Sequence, residues 1–324
     1  MAGNIWVFAE HWRGSLTDLT YECLALGRDL ADQSKVSLEA VLVGHGVQTL
    51  ADNLGVADSV LSVDDAELAE PESSRTAAIL AALAKERAPQ AILIPQSNIS
   101  LSISSWLAAQ LGVDAVNGCR DLRIADGRLV ADCTLYGGKM EASVAPKGTP
   151  AILNIWPGSR PAERGRSTKK PARKDVSVTL AAVPTPHFRK YLEPEAGDVD
   201  ITQKDVLIAV GRGIQNEGNL ASATELAEML DGAVCGSRPV IDQGWLPLSR
   251  QVGKSGLSVK PKAYLAFGIS GAPEHVEGMR DSSLIVAVNS DKQAPIFNVA
   301  HVGVVADAMD VIDELSKALQ TRKK

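Results

Sequence analysis

The first half of the chain alternates between two hydrophobic patterns. Ile5-Trp6-Val7-Phe8-Ala9 and Ala91-Ile92-Leu93-Ile94-Pro95 are unbroken apolar runs, the mark of strands buried on both faces. Leu38-Glu39-Ala40-Val41-Leu42-Val43, ended by Gly44-His45-Gly46, and residues 59–63 read the same way. Between these runs lie segments with apolar residues at helical spacing. Residues 17–34 put Leu19, Cys23, Leu26, Leu30 and Ala31 on one stripe. Residues 47–54, 74–87 and 102–111 are further helices, the first closed by Gly55 and the last by Gly112. This alternation predicts a mostly parallel sheet covered by helices.

The alternation stops near Asp114. Residues 122–130 read as two strands around an Asp126-Gly127 turn, and residues 135–144 and 151–155 continue in extended style. An antiparallel extension of the first sheet is expected there. Residues 157–174 break the pattern again. They hold Pro157, Pro161 and Pro171 and seven cations, Arg160, Arg164, Arg166, Lys169, Lys170, Arg173 and Lys174. A solvated loop or hinge is the plain expectation, and a docking surface for an acidic partner the alternative. A second irregular stretch, 184–199, is expected to hold the boundary between domains 1–195 and 196–324. Beyond it come strands at 205–210, 263–267 and 284–288 and helices at 221–230 and 304–319. The expected fold class is α/β throughout: an N-terminal, mostly parallel α/β sheet domain with an antiparallel extension, and a C-terminal Rossmann-like, doubly wound domain.

Composition narrows the function classes. Lys+Arg 33 against Asp+Glu 39 leaves a net charge of −6, whereas a general nucleic-acid binder carries a basic excess. Aromatic residues are only 4% of the chain, in keeping with layered α/β cores built from small aliphatic side chains. Cys23, Cys119, Cys133 and Cys235 are far apart in sequence, with no CxxC and no Cys/His cluster. That spacing argues against a zinc site or a disulfide framework. No apolar run approaches the roughly 20 residues of a membrane span. The N-terminus lacks the basic and apolar regions of a secretory signal, so a cytoplasmic protein is expected.

Candidate chemistry gathers in the second half. Gly211-Arg212-Gly213 and Gly268-Ile269-Ser270-Gly271-Ala272 each follow an expected strand, where open α/β sheets bind ligands. Glycines there let backbone N–H groups approach a phosphate closely. Neither stretch matches GxGxxG or the P-loop pattern, and each alone is equally a tight turn. Arg212, Arg238, Lys254 and His275 fall on or beside loops at the same edge. They suit an anionic ligand, or are ordinary surface charge. Asp307 reads either as the cap of the last helix or as a hydrogen-bond acceptor for a ligand.

At these residues the chain resembles the α subunit of electron-transfer flavoproteins. The resemblance rests on Gly211-Arg212-Gly213, Gly236-Ser237-Arg238-Pro239-Val240, Asp242, Gly244, Gln251-Val252-Gly253, Gly268-Ile269-Ser270-Gly271, His275 and Gly278-Met279. It continues through Val286-Ala287-Val288-Asn289, Ala294-Pro295-Ile296-Phe297 and Gly303. Trp6-Val7-Phe8-Ala9-Glu10 extends it more loosely to the N-terminal half. The resemblance implies FAD in the C-terminal domain and a heterodimer with a β subunit built on the N-terminal domain. It implies electron carriage from flavin dehydrogenases of the acyl-CoA type to a membrane quinone oxidoreductase. The protein is then a carrier rather than an enzyme, since the cofactor brings the chemistry.

Residue by residue, the resemblance implies that Arg212 and Ser237 contact FAD and that Arg238 lies by the isoalloxazine ring. Gln251 joins the cofactor site, and Val252, Gly253, Lys254 and Ser255 line the ring edge near N5 and O4. Ser270, Gly271, Ala272, Pro273, Glu274 and His275 wrap the ring and pyrophosphate, while Asn289, Asp307 and Ala308 serve the ribose and adenine. An anionic semiquinone would carry charge around N1 and O2. The Arg238 guanidinium and a His275 N–H placed there would favour it, with about 60 mV for each factor of ten.

Three positions depart from the family. Lys254-Ser255 stands where Gln-Thr is usual; the serine keeps a hydroxyl and the lysine adds a cation expected to raise the potential. Pro273-Glu274 replaces the common Ile-Gln, and its carboxylate opposes phosphate binding unless it points outward. His301 stands where an Asp is usual. These departures point to a specialised member with an unusual redox partner. Two alternatives stay open: an electron-bifurcating complex with NADH oxidation in the β subunit, and an NAD-dependent dehydrogenase, which lacks its GxGxxG signature here.

Overall fold

The computed structural model describes residues 3–136, 140–179, 188–191 and 198–322, apart from the side chain of the last. The chain forms two compact units, Met1–Lys190 and Tyr191–Lys324. The boundary expected between residues 195 and 196 lies outside the described residues.

Unit 1 opens with β1 (Ile5–Phe8), a small hairpin of β2 (His11–Trp12) and β3 (Ser15–Leu16), and α1 (Asp18–Ser34). Next come β4 (Leu38–Gly44), α2 (Gln48–Ala51), β5 (Ser59–Asp64), α3 (Ser73–Arg87), β6 (Ala91–Pro95) and α4 (Leu101–Leu111). Then follow β7 (Ala115–Ala125), β8 (Arg128–Leu135), β9 (Met140–Val144), β10 (Ala151–Ile155) and β11 (Ala172–Asp175). The nine-stranded sheet has the order β11-β5-β4-β1-β6-β10-β7-β8-β9. Alternate residues of β1 serve different cores: Ile5 and Val7 face one, Trp6 and Phe8 the other. An unbroken apolar strand is what a sheet covered on both faces requires.

The helices begin and end where their sequences dictate. Thr17 caps α1 by accepting from the Thr20 N–H at 3.3 Å, and Gly112 ends α4 in the left-handed conformation. Asp126 and Gly127 both have positive φ, as a two-residue type I′ hairpin needs.

One expectation for this unit is corrected and another is refined. Residues 151–155 are not part of the antiparallel extension. They form β10, parallel to both β6 and β7 and wholly buried in the middle of the sheet. The antiparallel portion is β7-β8-β9. Residues 157–174 are largely exposed, as a solvated loop is, yet most of their cations are paired. The stretch is a strap tied down by ion pairs and ending in β11, which pairs parallel with β5. Arg160 bonds Asp29 and Asp121, Arg164 bonds Asp29, Arg166 bonds Asp18, Lys170 bonds Asp52 and Lys174 bonds Glu39. These cations are spent on acids of their own unit. Cys119 and Cys133, distant in sequence, are directly opposed across β7 and β8 as free thiols with sulfurs 3.9 Å apart.

Unit 2 contains β12 (Val206–Val210), α5 (Leu220–Met229), β13 (Ala233–Gly236), α6 (Arg238–Asp242), β14 (Ala263–Phe267), α7 (Pro273–Glu277), β15 (Ile285–Asn289), β16 (Val302–Val305) and α8 (Ala308–Arg322). Its five strands are all parallel, in the order β13-β12-β14-β15-β16. By chain position that is 2-1-3-4-5, a doubly wound sheet that reverses direction between β12 and β14. Two strands escaped the sequence reading. β13 is only four residues long, and the second half of β16 falls inside the expected 304–319 helix. In the structure Val304 and Val305 belong to β16, and α8 begins after Asp307.

Candidate cofactor site

The reversal point fixes where a ligand can sit. Strand order diverges on either side of β12 and β14, so the loops leaving their carboxyl ends separate and open a crevice. Here that crevice is a cleft of about 790 Å³. Unit 1 reverses in the same way between β1 and β6, but its crevice is closed. The buried Glu10 carboxylate accepts hydrogen bonds from Ser97 and Ser100, and the adjoining cavity is only about 30 Å³.

The floor of the open cleft depends on glycine. Gly213 and Gly268 come so close that a Cβ on Gly268, which has φ +64°, would lie 2.6 Å from the Gly213 Cα. Gly268 therefore carries no side chain, and its backbone N–H donates to the Val288 carbonyl. Gly271, at φ +85°, is pressed against the turn at Ile296, whose N–H donates to the Ser270 carbonyl at 3.0 Å.

Most residues expected in the site converge on this cleft. Arg212 comes from the loop after β12, and Ser237 and Arg238 from the end of β13 and the start of α6. Gln251, Val252, Gly253, Lys254 and Ser255 come from a closed loop. Ser270, Ala272, Glu274 and His275 come from the end of β14 and α7, and Asn289 from the end of β15. Gly271 and Pro273 shape this wall without lining it, Pro273 as the first residue of α7. Asp307 and Ala308 do not line it. Asp307 caps α8 through the Met309 N–H at 2.8 Å and accepts from Gln215 at 3.1 Å, and Ala308 is buried in the core. The lining also includes Pro239, Asp242 and Ile269, which carry the resemblance in sequence but were given no role toward the cofactor.

Three cations rim the cleft. Arg238 lies 3.4 Å from Asp242, and Lys254 lies 3.8 Å from Glu277. Arg212 has no ion-pair partner among the described residues. All three are solvent-exposed, available to an incoming dianion such as a pyrophosphate. Glu274 is exposed too, so its carboxylate can face water; its carbonyl accepts the Lys254 N–H at 2.7 Å. His301 lies outside the cleft. Its Nδ1 accepts the Ile285 N–H at 2.9 Å, a role an aspartate oxygen could fill equally well.

His275 differs most from expectation. It is 6% exposed and both ring nitrogens are engaged. Nδ1 lies 3.1 Å from the Val252 carbonyl, which can only accept, so Nδ1 carries the proton. Nε2 is then an acceptor and takes the Tyr264 hydroxyl at 3.0 Å. Tyr264 is in turn approached by the Cys235 thiol at 4.0 Å. Burial pushes the imidazole down to about 4, against the opposing Val252 bond, so the ring is neutral. The free His275 N–H expected to face a ligand is thus committed to the protein. Tyr264 carries no sequence signal, because the contact joins the start of β14 to α7, a pairing that exists only in three dimensions.

The donor set suits a dinucleotide cofactor. Glycine loops and cations meet an anionic centre, Val252, Pro239, Ile269 and Ala272 offer apolar walls, and the volume lies within the roughly 300–1,000 Å³ of small-molecule sites.

Comparison with known proteins agrees with this reading. Residues 200–280 match the electron transfer flavoprotein FAD-binding domain, and residues 5–182 match the electron transfer flavoprotein domain. Protein FixB of Clostridium saccharobutylicum is 34% identical over 96% of this chain and 95% of its own length. Electron transfer flavoprotein subunit alpha of Thermoanaerobacterium thermosaccharolyticum is 33% identical over 99% of this chain and 98% of its own. Acryloyl-CoA reductase electron transfer subunit beta of Anaerotignum propionicum is 32% identical over 99% and 96%. Among the described residues no helix is long and apolar enough to cross a membrane. With family matches across both units and relatives aligned along nearly the whole chain, the protein belongs to the electron transfer flavoprotein family as an α-subunit homologue with FAD as its cofactor.

Proposed function

We propose that the cleft at the β12–β14 reversal point holds FAD, and that the chain works as the α half of a cytoplasmic heterodimer whose β subunit docks on unit 1. Electrons would come from flavin dehydrogenases and leave to a quinone oxidoreductase. The observation that carries this reading is the convergence of Arg212, Arg238, the 251–255 loop and the 268–275 segment on one cleft inside the family's FAD-binding region. When bound, FAD supplies reversible one- and two-electron redox chemistry. The chain's residues supply the rest. Arg212 and the glycine-lined floor take the pyrophosphate, and Arg238 and Lys254 hold positive charge at the cleft rim.

An anaerobic reductive titration of the chain, purified with the second subunit that accompanies it, tests the reading. The expected result is one flavin per chain, reduced in two separate one-electron stages. A protein without flavin overturns it. Lys254→Gln is expected to lower the potential of the first electron by only about 20 mV. The side chain is 65% exposed and already faces Glu277, so an interaction of about 0.5 kcal/mol is all that remains. An unchanged potential would mean that Lys254 does not act on the cofactor.

A further inference from the structure

The amino ends of the unit 1 strands, opposite the closed crevice at Glu10, border a second cavity of about 610 Å³. Its floor is set by register. Ile5, Ala91 and Ala151 are the first residues of β1, β6 and β10, and the strand pairing places them in one row. Two of the three are alanine, so the row does not fill the space it borders. Leu30 of α1 and Leu129 of β8 extend the apolar wall. Hydrogen bonds fix this frame. The Gln90 N–H donates to the Asn4 carbonyl and the Ala151 N–H to the Gln90 carbonyl, each at 2.9 Å. Gln33 Oε1 accepts the Ile124 N–H at 3.2 Å, which ties the β7–β8 hairpin to the end of α1.

The charges of this cavity are of one sign. Arg128 and Lys147 line it, and no carboxylate does. β8 and β9 pair with Ala131 opposite Val144. Carried on by three residues, that register sets Arg128 opposite Lys147. Like charges facing each other across strands repel. Both residues are exposed, and neither has an ion-pair partner among the described residues. Arg160, Arg164 and Lys170 of the strap, by contrast, each meet an acid. In the cavity wall the Ser34 Oγ is buried and has no hydrogen-bond partner among the described residues. A buried hydroxyl left unpaired is costly. Two cations without a counter-ion, an unpaired hydroxyl and an apolar floor thus share one cavity, whose volume is that of a small-molecule site.

We propose that this cavity is a second ligand site, for a small organic anion with an apolar body and one carboxylate or phosphate head. The head sits between Arg128 and Lys147, where its charge relieves their repulsion. The body lies on the row of Ile5, Ala91 and Ala151, and an oxygen of the ligand gives the Ser34 hydroxyl its partner. The site lies wholly in unit 1, whereas the cofactor cleft is lined by unit 2 alone.

Isothermal titration calorimetry of the protein, purified with the second subunit that accompanies it, tests this. The probes are decanoate and decyl phosphate below their micelle concentrations. One bound probe per chain is expected, with the flavin spectrum unchanged, and the tighter probe identifies the head. Decan-1-ol keeps the body without the charge and is expected to bind about tenfold more weakly. Arg128→Gln and Lys147→Gln are each expected to weaken binding about fivefold, the upper end for an exposed charge pair, and the double variant about twentyfold. Raised salt is expected to weaken binding to the wild type and not to the double variant. Ala145→Trp, at an exposed position lining the cavity, is expected to block it and abolish binding. Undiminished binding to the double variant overturns the proposal, because the two cations would then be ordinary surface charge. Equal binding of decan-1-ol overturns it too, since the cavity would then be an apolar groove without selectivity. A wild-type protein that takes up neither probe also overturns it.

Discussion

Gly271→Ala is expected to abolish FAD binding and destabilise unit 2 by on the order of 4 kcal/mol. Two costs combine. The residue has φ +85°, where a side chain is strained by about 1–3 kcal/mol. The added methyl would also lie 2.3 Å from the Ile296 nitrogen and 2.5 Å from its Cα, both backbone atoms that cannot turn aside. Relief requires moving the 295–298 turn, which breaks the Ile296 N–H bond to Ser270 and costs a further 1–3 kcal/mol of the kind seen on overpacking. Ser270 is part of the cleft wall, so the site deforms as the turn moves. Gly244→Ala is the control. Gly244 also has positive φ, at +76°, but nothing lies within 4 Å of its would-be Cβ. It should show the conformational cost alone, about 1 kcal/mol. Urea unfolding of both variants, with flavin content after purification, measures the difference. Equal losses would mean that contact with Ile296 contributes nothing.

The contrast between those two glycines explains what could be read from the sequence. Positive φ is a local property, and a glycine in a loop is what permits it. The contact at Ile296 is not local. The same division runs through the fold. Ile5–Phe8 and Ala91–Pro95 were legible as buried strands, because burial on both faces leaves an unbroken apolar run. Ala151–Ile155 is just as apolar, but nothing in such a run encodes which strand it pairs with. Its place after a run of extended segments suggests an antiparallel extension, although the chain returns it to the middle of the parallel sheet. The cations of 157–174 were visible while their partners, Asp18, Asp29, Asp52 and Asp121, were scattered through more than a hundred residues. In the cleft, the glycine loops and cations were legible because phosphate binding demands them. The committed state of His275 was not, because it depends on partners brought in by the fold.

His275 yields the second large effect, and it depends on pH. The neutral ring is what the structure requires: Nδ1–H bonds the Val252 carbonyl, and Nε2 must stay unprotonated to accept the Tyr264 hydroxyl. Its pKa is depressed from 6.5 to about 4, chiefly by burial. The unfolded chain therefore binds a proton below about pH 6.5 that the folded chain refuses until about pH 4. Stability from this residue is complete above pH 6.5 and is lost as pH falls towards 4, by up to about 3 kcal/mol. Protonation would also force the Tyr264 hydroxyl to turn its proton away from Nε2, reversing the order of donors that begins at Cys235. In urea unfolding, the wild type is expected to lose about 2 kcal/mol more than His275→Gln between pH 7 and pH 4.5. Carboxylates titrating in the same range are common to both proteins and cancel. Equal losses would mean that His275 accepts a proton inside the fold. The neutral, tautomer-locked ring would then be wrong, and the His275 N–H would again be free to face the cofactor.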